Sequence, residues 1–253
     1  MQSPFIWHDL ATTDPKAAAE FYTAVVGWTL GTNMPGMDYT ILQAAGVGVG
    51  GIMPMPPATS GMAPRWNGYI YVADVDATAA KAVTLGGRIF QPGMDIPGIG
   101  RFAVIADPTG ATFILLSPIG PDESSGEVPE GTPGKIGWCE LHSGDWKQAW
   151  DFYQALFGWT AGESMDMGPM GHYQQFKVGD KAIGGMMNKL ASDPAPPHWN
   201  YYINVDGIDA AFARVKANGG KPFFEPHQVP GGFWIVMAMD PQGASFCLLS
   251  KTR

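Results

Sequence analysis

Apolar positions in this chain change period in a fixed order, and the order recurs. Residues 4–11 read as a strand, and residues 15–26 follow with Ala18, Phe21, Tyr22 and Val25 on one helical face. Asp14 is placed to cap that helix, Pro15 takes the first helical position, and Gly27 is the left-handed stop. Three short strands come next, at 28–32, 39–44 and 47–55, parted by Gly/Pro/Asn turns. The pattern predicts a β-α-β-β-β unit. After a Pro/Ser/Gly connector at 56–64 the order starts again. A period-two strand at 66–73 leads to a helix at 75–85 closed by Gly86-Gly87. Strands follow at 88–91, 101–106 and 111–117, the last two joined by the turn Asp107-Pro108-Thr109-Gly110.

The second half repeats the scheme landmark by landmark. Trp138-Cys139-Glu140-Leu141 answers Trp7-His8-Asp9-Leu10, Phe152-Tyr153 answers Phe21-Tyr22, and Gly158-Trp159 answers Gly27-Trp28. Gly184-Gly185 matches Gly50-Gly51, Trp199-Asn200 matches Trp66-Asn67, and Gly219-Gly220 matches Gly86-Gly87. Asp240-Pro241-Gln242-Gly243 matches the turn at Asp107. A repeat of this kind organises the whole fold. It predicts four β-α-β-β-β units in two tandem domains, residues 1–117 and 136–253. Residues 118–135 are rich in Pro, Gly, Ser and Glu without hydrophobic period, and serve as linker.

Composition narrows the function classes. With 45% hydrophobic and 12% aromatic residues, a chain of 253 residues can bury a substantial core. No apolar run approaches a membrane span and the N-terminus lacks a signal-peptide pattern, so a cytoplasmic protein is expected. The two cysteines, Cys139 and Cys247, each sit in a strand pattern and read as buried free thiols. A net charge of −8 without a Lys/Arg cluster argues against nucleic acid. No phosphate loop, nucleophile elbow or Cys-x-x-Cys is present, which removes nucleotide use, triad hydrolysis and thiol redox.

The Phe-Tyr…Gly-Trp helix end, the Gly-Gly after the second helix and the Asp-Pro-x-Gly turn before a last apolar strand resemble the vicinal oxygen chelate superfamily, the glyoxalase/bleomycin-resistance/extradiol-dioxygenase group. The resemblance covers both halves. It implies an α+β fold of two tandem glyoxalase-like domains, each of two paired βαβββ units forming a cupped sheet with a small molecule on the concave side. In metal-dependent members a divalent ion is held there by His, Glu or Gln at set strand positions. Carried over by the landmarks, those positions fall on Trp7, Asn67 and Ile114 in the first half and on Trp138, Asn200 and Cys247 in the second. The remaining positions lie near Gly51-Ile52-Met53 and Gly185-Met186-Met187. Indole and alkyl groups offer a divalent ion no lone pair and a lone amide is weak. No divalent metal or other cofactor is therefore expected. His8, His142, His172, His198 and His227 stand opposite Cys139, Ala11, Asp38, Arg65 and Met94, so none is duplicated, and no two share a ligand-like spacing. His8 has the opposite strand parity to Trp7 and is expected to face the helix.

Parity from Trp7 and Trp138 gives the implied lining of the two cups. In the first it groups Trp7 and Asp9 with Asn67, Tyr69, Tyr71, Thr112 and Ile114. In the second it groups Trp138 and Glu140 with Asn200, Tyr202, Asn204, Ser245 and Cys247. An apolar bowl with a few placed polar groups is the usual make-up of a small-molecule pocket. Asp9 and Glu140 are the candidate acids, either general acid–base groups held against an indole or hydrogen-bonded members of the fold. The Met- and Gly-rich loops at 33–38 and 164–172 read as adaptable lids or as ordinary turns. The expected function is metal-independent binding of a small apolar or aromatic molecule by a monomer or homodimer. The alternatives are a lyase, isomerase or dioxygenase of the same superfamily, and a structural or regulatory protein with vestigial cups.

Overall fold

The computed structural model describes residues 3–32, 36–59, 61–120 and 128–253. The first half runs β1 (Phe5–Thr12), α1 (Pro15–Val26), β2 (Thr29–Leu30), β3 (Thr40–Ala44), β4 (Val47–Pro54), β5 (Arg65–Tyr71), α2 (Val75–Thr84), β6 (Arg88–Ile96), β7 (Gly100–Ala106) and β8 (Thr112–Pro118). The second runs β9 (Ile136–Ser143), α3 (Trp146–Phe157), β10 (Thr160–Asp166), β11 (His172–Val178), β12 (Lys181–Asn188), β13 (His198–Asn204), α4 (Ile208–Ala217), β14 (Lys221–Pro222), β15 (His227–Gln228), β16 (Trp234–Met239) and β17 (Ser245–Ser250). Strand order is β2-β3-β4-β1-β5-β8-β7-β6 in one sheet and β10-β11-β12-β9-β13-β17-β16-β14 in the other, with β15 on β16. The α+β fold of four units is as the repeat implies. Of the two loops read as lids, 33–35 lie outside the described residues. In the other, 164–166 continue β10 and Gly168–Met170 form a 3-10 turn. Residues 121–127 of the linker are likewise outside the described residues.

Local rules place the helices. Asp14 Oδ1 accepts the Ala17 amide at 3.0 Å, and Asp145 Oδ1 accepts the Lys147 amide at 2.9 Å. These bonds satisfy orphan donors of α1 and α3. Both helices stop at a left-handed glycine, Gly27 with φ 87° and Gly158 with φ 71°, a conformation costly for other residues.

Two compact units result, and each draws on both halves of the chain. One contains residues 1–7, 67–122 and 138–200, and the other residues 8–66, 123–137 and 201–253. The same device locks each. In the first, Trp199 Nε1 donates to Tyr153 Oη at 3.1 Å, which donates to Asp107 Oδ2 at 3.1 Å. In the second, Trp66 Nε1 donates to Tyr22 Oη at 3.0 Å, which donates to Asp240 Oδ2 at 3.1 Å. The other carboxylate oxygen closes the Asp-Pro-x-Gly turn, Asp107 Oδ1 accepting the amides of Thr109, Gly110 and Ala111. Burial pushes both aspartates above the ordinary carboxylate range while these donors pull the other way. Around the locks lie the aromatic cores, Phe113, Tyr153, Trp159, Phe176 and Trp199 in one unit and Phe21, Tyr22, Trp28, Trp66 and Phe246 in the other. Burying such rings supplies much of the stability of a sheet packed on helices. Trp28 and Trp159 also donate to the backbone ahead of a first strand, to Gly134 O at 2.8 Å and Ser3 O at 2.9 Å.

Candidate functional site

Strand parity puts chemistry on one face of β9. Cys139, Leu141 and Ser143 are buried, while Trp138, Glu140 and His142 between them are partly open. Glu140 pairs in parallel register with Gly185 of β12. That glycine has no room for a Cβ, because the ring and hydroxyl of Tyr173 from β11 lie across it. Gly184 beside it has none because the Cys139 carbonyl and the Phe176 ring approach its backbone. The Gly-Gly landmark thus lets a tyrosine pass over one strand to reach the acid on the next. Tyr39 crosses Gly51 in the same way, and Gly51 is the register partner of Asp9.

The result around Glu140 is a hydrogen-bonded line of four side chains. Trp138 Nε1 donates to Tyr173 Oη at 2.7 Å, and Tyr173 Oη donates to Glu140 Oε2 at 2.8 Å. Glu140 Oε1 lies 2.9 Å from His142 Nε2. Burial, with the Glu140 charge beside it, pushes the Tyr173 phenol well above its usual value, so it stays a donor. Glu140 is 13% exposed and His142 15%, which leaves the line within reach of solvent.

A second histidine joins from β13. His198 Nδ1 lies 2.8 Å from the Pro196 carbonyl, so that nitrogen carries the proton and Nε2 the lone pair. The Asn200 amide donates to Nε2 at 3.3 Å. Burial first, then the neighbouring His142, lowers the pKa of His198 and keeps it neutral. The two rings are 5.3 Å apart, and Asp193 Oδ2 lies 4.0 Å from His142 Nδ1. Ligand atoms of His142, Asp193 and His198 all fall within 4.8 Å of one another, a group able to hold a metal ion among the described residues.

The other sequence candidates are placed as follows. Trp7 packs on Tyr69, Ile114 and Leu116, and Tyr69 is the register partner of Ile114. Asn67 and Tyr71 are partly buried on β5, and Thr112 is exposed at the start of β8. Asp9 is fully buried. Arg65 stands close enough for the Asp9 charge to oppose the burial that lowers the guanidinium pKa. Tyr202 pairs with Cys247, both buried, whereas Ser245 is exposed at the start of β17. Asn204 spends its amide on the Lys135 carbonyl at 2.9 Å. His8, buried edge-on to Tyr201, has its pKa lowered to about 3 by burial. Two shallow hollows of about 270 and 410 Å³ are lined around Trp159 and Arg214, and neither includes a residue of the β9 line.

Comparisons with known proteins agree with this architecture. The family model "Glyoxalase/Bleomycin resistance protein/Dioxygenase superfamily" matches residues 135–248, and "Glyoxalase-like domain" matches residues 6–116. A Mycobacterium tuberculosis (strain CDC 1551 / Oshkosh) protein named "Putative glyoxylase CFP32" is 38% identical over 96% of this chain and 93% of its own. "Anthracycline biosynthesis protein DnrV" of Streptomyces peucetius is 31% identical over 96% of this chain and 91% of its own. Among solved structures, the Mn(II)-bound glyoxalase from Novosphingobium aromaticivorans superposes with TM-score 0.68 at 18% identity, covering 98% of this chain and 82% of that one. The 2,3-dioxygenase LapB from Pseudomonas sp. KL28 does so with TM-score 0.64 at 12% identity, covering 97% and 91%.

One expectation is overturned. By the sequence no divalent metal is expected, because the positions carried over hold Trp7, Asn67, Ile114, Trp138, Asn200 and Cys247. The structure nevertheless assembles His142, Asp193 and His198 within ligand distance, and the fold's solved neighbours include a Mn(II)-bound protein. The signal that was missed is parity. His142 is two residues past Glu140 and His198 two before Asn200, so each shares the face already assigned to the cup. Asp193 comes from the loop before β13, where no periodicity marks it. No helix of the described residues is long and apolar enough to cross a membrane. By its two family models and its relatives, the chain belongs to the glyoxalase/bleomycin resistance protein/dioxygenase superfamily, the vicinal oxygen chelate group.

Proposed function

We propose that the open face of β9 binds a small organic molecule, mainly apolar or aromatic, that presents a polar group to Glu140. The observation that carries this reading is the line Trp138–Tyr173–Glu140–His142, a fixed row of hydrogen-bonding groups beside an indole. Apolar walls with few, placed polar groups suit such ligands. Relatives named for anthracycline biosynthesis support the aromatic side of that class. In this reading Trp138 and Asn200 line the ligand, whereas Asp9, fully buried, belongs to the fold of its own repeat. Residues 1–117 and 136–253 are the repeat domains joined by 118–135, and a cytoplasmic setting is supported by Cys139 and Cys247, which are buried and not joined in a disulfide.

The test is a thermal-shift panel of small aromatic and aliphatic carbonyl, phenol and carboxylate compounds. At least one compound raises the melting temperature of the wild-type chain, and Glu140→Gln or Tyr173→Phe weakens its binding about tenfold, the loss of one hydrogen bond to a charged group. A panel without a shift, or a shift unaltered in both variants, overturns the reading. A second reading, an enzyme, is favoured by one observation: Glu140 and His142 form an acid–base pair at 2.9 Å on that face. It predicts that Glu140→Gln removes turnover of a bound compound far more than it weakens binding.

A further inference from the structure

We propose that His142, Asp193 and His198 form a first-row transition-metal site at the rim of the β9–β13 face, displaced from the positions that the family resemblance carries over. All three belong to one compact unit. The argument is one of convergent lone pairs. His198 commits Nδ1 to the Pro196 carbonyl at 2.8 Å, and its Nε2 meets the long 3.3 Å contact from Asn200. His142 commits Nε2 to Glu140 at 2.9 Å and turns Nδ1 toward Asp193 Oδ2 at 4.0 Å. Asp193 commits Oδ1 to the Ala195 amide at 2.9 Å. Two imidazole nitrogens and a carboxylate oxygen thus face one another, and a cation between them relieves their repulsion.

The groups behind the ligands are those a metal site uses. A ligating histidine donates its other N–H to a carboxylate or a backbone carbonyl, which fixes ring and tautomer. Glu140 does this for His142, and Pro196 O for His198. The loop that brings Asp193 is braced as well. Lys189 N donates to Ser143 O at 2.8 Å at the end of β9, and Lys189 Nζ donates to Asp193 O at 2.7 Å. Glu140 and Asp193 thus set two carboxylates beside the imidazoles, with the Lys189 ammonium on the Asp193 backbone. Two imidazoles with one carboxylate select Zn²⁺, Fe²⁺, Mn²⁺, Co²⁺ or Ni²⁺ over Mg²⁺ and Ca²⁺, which take all-oxygen sets. Three protein ligands leave at least one position for an outside oxygen or nitrogen ligand. Trp138 and Asn200, where the family ligands would stand, then act as walls beside the ion.

The experiment uses the full chain without an affinity tag, stripped with chelator and titrated with Zn²⁺ and with Co²⁺. Calorimetry is expected to give one ion per chain, and Co²⁺ to develop a visible d–d band that excess Mg²⁺ does not bleach. His142→Ala and His198→Ala weaken Zn²⁺ binding at least about 100-fold, and Glu140→Gln about 10- to 100-fold through His142. His227→Ala, outside the cluster, changes nothing. Circular dichroism identifies any variant that does not fold, and for such a variant the milder Asp193→Asn and His198→Gln are scored in its place. Wild-type chain that binds less than one ion, or binding retained in folded variants, overturns the proposal.

Discussion

Strands β1 and β9 begin with the same words and end as different surfaces. Along β1, burial is unbroken from His8 to Thr12, and Asp9 is shut in completely. Along β9, buried Cys139, Leu141 and Ser143 alternate with partly open Trp138, Glu140 and His142. Both keep the tryptophan, the acid and a tyrosine lying over a glycine. They differ at two flanking positions. Ala11 stands where β9 has His142, and Arg65 where β13 has His198. In the first repeat the acid has a permanent cation nearby and no second titratable group on its strand face. In the second it has two ring nitrogens and a loop aspartate. A duplicated frame keeps what the frame requires, and further titratable side chains have collected around the acid of one copy.

The comparison can be broken most directly at the two acids. Asp9→Ala is expected to cost about 3 kcal/mol, since it strands a half-buried Arg65 without its carboxylate. Glu140→Ala is expected to cost about 1 kcal/mol, the worth of a hydrogen bond from Tyr173 near solvent. Equal losses in urea denaturation would erase the distinction between the buried acid and the partly open one. The shared tyrosine device is tested by Gly51→Ala and Gly185→Ala. Each forces a methyl into a tyrosine ring and is expected to cost about 2 kcal/mol, alike in the two repeats. A large loss at one glycine alone would mean that the device is not common to both.

A further effect is a pH dependence to which His8 of β1 contributes. His8 is buried and neutral with its pKa lowered to about 3 from 6.5. Above pH 6.5 neither the folded nor the unfolded chain protonates it, and its full contribution is present. Between 6.5 and about 3 the unfolded chain takes up a proton that the folded one refuses, so stability falls as pH falls, by about 1.4 kcal/mol per pH unit. Denaturation midpoints at pH 7 and pH 5 should therefore separate in the wild-type chain and draw together in His8→Gln. An unchanged separation would remove the burial argument.

Much of this was legible beforehand because it is local. Asp14, Asp145, Gly27 and Gly158 mark helix ends by rules that need no tertiary contact, and the doubled landmarks give the repeat. Glu140 was legible too, because parity along a strand needs only a reference residue. His142 and His198 carry the same parity signal, but neither is duplicated and neither stands at an inherited ligand position. Asp193 was not legible, since a loop has no period and its reach depends on Lys189 and Ala195. Nor was the division into compact units. A repeat states that four modules exist, but not that Tyr22 of the first meets Asp240 of the last.

That meeting has a consequence for how the chain is made. Tyr22 and Asp240 are separated by 218 residues, and the unit they lock is closed only by residues 201–253. During vectorial synthesis the core face of segment 8–66 that packs on residues 201–253 stays open until those residues have emerged, while the unit ending at residue 200 is able to close sooner. Long-range contacts of this kind slow folding and prolong the exposure of apolar surface. A ribosome-bound chain arrested before residue 201 would carry one finished unit and one open aromatic face, the state in which a chaperone has most to hold.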